Sequence, residues 1–288
     1  MHHPVEDPEV VRQRMQAIVQ RNPACEEFCE LVGGLVLKSL EVPASERPIA
    51  LPRVDPQALK KGTPLLDMES LELDWPERWA LAQALAESLS DRPGGPEAAR
   101  AIAGLRAEAG QGREAGAFRA VLKGERGVME QLAEARGTKG PVLWLVLRMA
   151  LRPALVGVAK EAAGLPGLEA WEFGHCPVCG QAPALAELGA DVGSRRLHCW
   201  LCESSWDYPR LKCPFCESEE PGIISYLRPE SEEGMQLEVC ESCAQYIPTL
   251  DMRKLVGPVV VPLEEVATWH LMVLLRRVQG EGQGDSPA

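Results

Sequence analysis

His175-Cys-Pro-Val-Cys-Gly180, Leu197-His-Cys-Trp-Leu-Cys-Glu203, Lys212-Cys-Pro-Phe-Cys-Glu217 and Val239-Cys-Glu-Ser-Cys-Ala244 place four Cys-x-x-Cys pairs within 68 residues. Each pair turns two thiols onto one tight knuckle. Two knuckles together supply the four sulfurs that zinc or iron accepts at about 2.3 Å. The candidate metal ligands are therefore Cys176, Cys179, Cys199, Cys202, Cys213, Cys216, Cys240 and Cys243. Nineteen residues separate Cys179 from Cys199 and 23 separate Cys216 from Cys240, room for a short hairpin in each case, whereas only ten separate Cys202 from Cys213. The economical pairing is sequential, with one site over 176–202 and one over 213–243. An interleaved pairing, first knuckle with third and second with fourth, stays open on spacing alone. Pro177 and Pro214 stiffen two knuckles. Gly180 follows the second cysteine of the first, where a positive φ is often needed; Glu203, Glu217 and Ala244 hold that place in the others, so those turns must differ or carry strain.

Outward from the cysteines, 174–262 alternates knuckles with short runs of β character at 197–198, 223–227, 237–239 and 259–261. So few long apolar runs make a poor core, and structural zinc commonly supplies about 10–16 kcal/mol of folding free energy to such a segment. Upstream, apolar residues recur at helical spacing over 9–20, 24–41, 97–109, 114–135 and 141–163, and Asp74-Trp75-Pro76-Glu77 is a helix start. The proline-rich stretch 42–66 reads as mostly irregular. Downstream, Leu263, Val266, Trp269 or His270, Val273 and Leu274 predict the inner face of a last helix. The fold class that follows is a mainly α N-terminal domain plus a small-β metal-binding part. It comprises a helical bundle over 1–172, two tandem rubredoxin-like or zinc-ribbon modules over 173–262, a C-terminal helix over 263–279 and a Gly-rich disordered tail over 280–288.

The 288 residues are 45% hydrophobic and 25% charged, the composition of a folded domain, with a formal net charge of -12. That charge repels phosphate backbones and argues against a general nucleic-acid binder. The N-terminus is acidic and carries no apolar signal core, and the apolar run from Pro141 to Val158 is interrupted by Arg148, Arg152 and Pro153. A cytoplasmic protein with no membrane span is expected. In a reducing compartment, Cys-x-x-Cys pairs bind metal or do redox chemistry more often than they form structural disulfides.

Other residues with chemical potential read as structural. Cys25 and Cys29 lie four apart on an apolar helical face, which favours small buried side chains over a ligand pair. His175 and His198 each precede a knuckle cysteine and stand beside sites that four sulfurs already fill. Trp200, Trp206 and Tyr208 offer a recognition face, with packing around the metal module as the simpler reading. Glu264 and Glu265 suit a helix N-terminus. No phosphate loop, His-Glu-x-x-His motif or nucleophile elbow is present in the sequence. The alternative to a metal staple is a rubredoxin-like electron-transfer or dithiol redox protein.

The order of the four pairs, Leu197-His-Cys-Trp-Leu-Cys-Glu203, Trp206 ahead of Arg210-Leu-Lys-Cys-Pro-Phe-Cys216, Glu238-Val-Cys-Glu-Ser-Cys243, Tyr246 and Asp251 together resemble the FdhE family of formate dehydrogenase accessory proteins. Looser similarity extends upstream to Asn22-Pro23 and Gly62-Thr-Pro-Leu-Leu-Asp67. The resemblance implies a non-enzymatic, cytoplasmic maturation factor that engages the catalytic subunit of formate dehydrogenase. It implies a helical domain joined to two rubredoxin-like modules with two structural metal ions, zinc or iron, and leaves self-association open. It carries over to the eight cysteines, and more weakly to His198, Glu203, Trp206, Arg210, Lys212, Tyr246 and Asp251. Ser204-Ser205 and Asp207-Tyr208-Pro209 depart from the family pattern.

Overall fold

A computed structural model describes residues 5–42, 49–109, 116–189, 193–229 and 233–278. The tail at 280–288 lies outside the described residues. Helices open the chain: α1 (Pro8–Arg21), α2 (Glu26–Leu40), the single turn α3 (Pro56–Leu59), α4 (Trp75–Glu87), α5 (Gly95–Ala109), α6 (Gly116–Lys123), α7 (Arg126–Glu134) and α8 (Gly140–Ala162). Their starts follow local chemistry. The Asp7 carboxylate accepts from Glu9 N at 2.8 Å with Pro8 in the first turn, and Asp74 does the same for Glu77 N at 3.1 Å with Pro76. The single helix expected over 114–135 is two helices over its described part, because Gly124 adopts φ 74° between α6 and α7.

The 23-residue α8 is the axis of the helical layer, touching α2, α4, α5, α6 and α7. By length and composition it is apolar enough to cross a membrane, but 72% of its apolar window is buried inside the protein. The arginines that interrupt it are buried as well and meet carboxylates, Arg152 with Glu203 and Arg148 with Glu265.

The cysteine-bearing half forms one sheet of six strands: β1 (Pro183–Leu188), β2 (Arg195–Cys199), β3 (Ser205–Asp207), β4 (Ile224–Leu227), β5 (Met235–Cys240) and β6 (Tyr246–Asp251), in the order β3-β2-β1-β6-β5-β4. Each module is an antiparallel three-stranded meander. The two meanders join through a parallel β1–β6 pair, with Ala186 opposite Thr249 and Leu188 opposite Asp251. The tandem modules thus share a continuous sheet rather than standing as separate beads. Arg195 of β2 strengthens the union: its guanidinium meets Glu238 of β5 at 2.7 Å, both side chains being buried.

The run 259–261 is not a strand. Val260 and Val261 are buried, but the chain enters α9 (Val261–Val278) there, with Pro262 in its first turn. The helix α9 packs on α1, α2, β1 and β5, so the last described helix lies against the first. Its buried stripe is Leu263, Ala267, Leu271 and Leu275, while Trp269 and Val273 face out, against the expected inner face. The rotation has a cause: Glu264 turns inward and takes a bidentate pair from Arg14 of α1, at 2.5 and 2.8 Å, which an apolar pattern does not anticipate.

Candidate metal centres

All four knuckles close in the same way. Cys176 N donates to Gln181 O at 2.8 Å, Cys199 N to Ser204 O at 2.9 Å, Cys213 N to Ser218 O at 3.0 Å and Cys240 N to Gln245 O at 2.9 Å. The residue after each second cysteine is left-handed: φ is 74° at Gly180, 58° at Glu203, 59° at Glu217 and 57° at Ala244. The last three carry strain of roughly 1–2 kcal/mol each, the cost of a Cβ in that conformation. Two of them gain a partner by it. Glu203 reaches the buried Arg152 at 2.6 and 3.0 Å, and Glu217 Oε1 accepts from Gly174 N at 3.0 Å. Ala244 has no side-chain group with which to do so.

The knuckles bring the eight cysteines into two four-sulfur groups, 176/179/199/202 and 213/216/240/243, with the sulfurs of each within 4.8 Å of one another. Cys176 Sγ lies 3.6 Å from Cys202 Sγ, and Cys179 Sγ lies 3.4 Å from Cys199 Sγ. In the second group Cys213–Cys243 is 3.8 Å and Cys216–Cys240 is 3.7 Å. A tetrahedron with 2.3 Å metal–sulfur bonds has edges of roughly 3.8 Å, close to the spacing of both groups, so each suits a single ion after small side-chain shifts. In the first group, burial pushes the Cys179 and Cys199 thiols well above their ordinary range. Cys176 goes the other way despite its burial, because hydrogen bonds from the other three cysteines and Ser204 stabilise its thiolate. Four thiolates do not coexist in such a space without a cation to balance them.

The surroundings differ. Ser204 Oγ lies 3.1 Å from Cys176 Sγ and 2.9 Å from Cys202 Sγ, a hydroxyl touching two sulfurs that spacing arguments overlook. Backbone N–H groups of Leu201 and Phe215 each sit 3.4 Å from a sulfur, those of Cys199 and Cys213 respectively. Arg195 does not neutralise sulfur, because Glu238 takes it; Lys212 approaches Glu219 at 3.3 Å. The histidines stay outside both groups. His175 Nε2 is 2.8 Å from Gly62 O, and His198 Nε2 is 2.8 Å from Glu187 Oε2. Trp206 is buried with Nε1 donating to Phe173 O, Tyr208 OH donates to Cys213 O at 3.0 Å, and the Trp200 ring packs tilted against Trp144 of α8 with centroids 5.3 Å apart. Cys25 and Cys29 are buried among the helices; burial, then the charges of Cys25 and Glu264, pushes the Cys29 thiol up to about 11. Arg152 and Glu203, 51 residues apart, are the anchoring pair that no local pattern reveals.

The profile described as FdhE, central domain, matches residues 175–210, which span the first two knuckles. A protein FdhE homolog of Cronobacter sakazakii is 30% identical over 235 residues, covering 78% of this chain and 68% of that protein. The chain belongs to the FdhE family. A homolog from Edwardsiella ictaluri is 40% identical over 103 residues, and the match spans only 33% of that relative's own length. The crystal structure of the FdhE protein from Pseudomonas aeruginosa superposes with a TM-score of 0.64 at 24% identity, over 98% of this chain and 94% of that one. The FdhE fold, helical layer followed by the double meander, therefore extends along nearly the full length described here.

Proposed function

We propose that this protein is a non-enzymatic, cytoplasmic accessory factor for the maturation of formate dehydrogenase. In this reading Cys176, Cys179, Cys199 and Cys202 hold one structural metal ion, and Cys213, Cys216, Cys240 and Cys243 hold a second, each zinc or iron. The helical part over 1–172 and the metal-binding part over 173–262 act as one surface that binds the dehydrogenase catalytic subunit. The observation that carries the proposal is membership of the FdhE family together with two preformed four-sulfur groups. When bound, the metals supply folding free energy and hold the knuckles; the chain's own residues do the recognition.

A groove where α2, α8 and α9 meet suits that recognition. Phe28, Val32, Trp144, Leu145, Pro262 and Trp269 line it. Phe28 is 52% and Trp269 43% exposed, with their rings 5.7 Å apart. The Arg126 guanidinium lies 4.1 Å over the Trp144 ring, a cation at the edge of an aromatic floor. Large exposed aromatics beside an arginine are the composition of interface anchors. Co-purification of the catalytic subunit with this protein tests the reading. It is expected from the wild type and is expected to weaken in Trp269→Asp with metal content unchanged. Full formate dehydrogenase activity in a strain lacking the gene overturns it. The exposed rim of the second sulfur group favours one alternative, an electron carrier, which an iron-loaded red protein that bleaches reversibly on reduction would support.

A further inference from the structure

We infer that the two centres differ in kind: the 176–202 centre is a locked staple, and the 213–243 centre exchanges its metal with solvent through Cys216 and Cys243. This rests on the metal reading above and adds to it a division of labour. Cys176, Cys199 and Cys202 are 0% exposed and Cys179 is 2% exposed. All four belong to the main hydrophobic core. Their knuckles are pinned from outside the module. Leu65 N and Leu66 N donate to Pro177 O and Val178 O at 2.9 and 2.8 Å. Gln181 Nε2 donates to Leu122 O at 2.8 Å, Glu203 is held by Arg152, and Trp200 by Trp144. The Ser204 hydroxyl touches two of the sulfurs.

The second group has one sulfur of each knuckle at the surface: Cys216 is exposed and Cys243 half-buried, while Cys213 and Cys240 are buried. It packs with Ile223 in a small cluster of its own, flanked by Phe215 and Ile224. Among the described residues, the ties of the fourth knuckle lie within its module, Glu241 N to Ile223 O at 2.8 Å and its own turn, and Glu241, Ser242 and Ala244 are exposed. Exchange then needs no unfolding. With a metal held there, an incoming chelator's nitrogen or oxygen donor would replace Cys216, whose thiolate would take a proton from the buffer acid, and Cys243 would follow. At the first centre the same attack requires the core to open. Ligand support of this kind changes metal affinity about 10–100-fold.

The test is metal transfer from the metal-loaded full chain to 4-(2-pyridylazo)resorcinol, with N-ethylmaleimide labelling followed by peptide mass spectrometry. Two phases are expected, the fast one about tenfold or more quicker, of one metal per chain, and coincident with alkylation of Cys216 and Cys243. Cys176 and Cys202 remain unmodified through it. The variant Cys216→Ser is expected to lose the fast phase and keep the slow one. Both metals leaving in one phase, earlier labelling of Cys176 or Cys179, or a fast phase that survives in Cys216→Ser overturns the inference while leaving the metal reading intact. A chain that never holds metal overturns that reading instead.

Discussion

Ala244 is the knuckle residue whose left-handed backbone, φ 57°, is matched by no side-chain contact, in contrast to Glu203 with Arg152 and Glu217 with Gly174 N. Ala244→Gly removes the Cβ penalty and is expected to raise the stability of the metal-loaded protein by about 1 kcal/mol in chemical denaturation, after the extra unfolded-state entropy of glycine is offset. Ser204 gives a second residue-scale test. Its hydroxyl is the polar group that touches both Cys176 and Cys202, so Ser204→Ala is expected to lower metal affinity about tenfold at the first centre in competition titration, with helical content unchanged. The eight cysteines were legible in the sequence because two-residue spacing is itself the chemistry. Glu203 reads as an awkward residue after Cys202 and, through the family resemblance, as a weak carry-over with no role attached. Its partner Arg152 sits in a helix 51 positions earlier, and no local pattern connects them.

Among the elements, the strands nearest the cysteines were easier to read than those that organise the sheet. Runs around 197–198, 223–227 and 237–239 announce β2, β4 and β5. The two strands that unite the modules do not: β1 is Pro-Ala-Leu-Ala-Glu-Leu and β6 is Tyr-Ile-Pro-Thr-Leu-Asp, both carrying proline and lacking a clean β-branched alternation. Their places follow from tertiary pairing rather than propensity, which is why the sequence does not announce one continuous sheet. The joint also depends on Gly174. Its N–H donates to Glu217, and a Cβ there would fall onto the Pro214 carbonyl oxygen, where no flexible side chain can give way. Gly174→Ala is expected to cost about 1–3 kcal/mol or more, seen as a lower thermal midpoint, because backbone of the third knuckle must move.

Across the whole molecule, the first and last described helices are tied by a buried ion pair. Arg14 of α1 and Glu264 of α9 are 250 residues apart, with side chains 3% and 0% exposed. Glu264→Ala leaves the Arg14 charge buried without its partner and is expected to destabilise by about 3–5 kcal/mol in denaturant titration. The double replacement by apolar residues of similar size is expected to cost much less. The helical layer, the six-stranded sheet and α9 thus close around the first centre, and the second lies at the rim of the same body. If the eight cysteines hold two ions as the chain folds in the cell, those ions stay with the protein through purification. Elemental analysis of protein purified anaerobically without added metal, paired with a thiol count on the native protein, measures this. Two equivalents of zinc or iron per chain with protected thiols is the expected result. A folded protein with no bound metal and freely reactive knuckle thiols would contradict it.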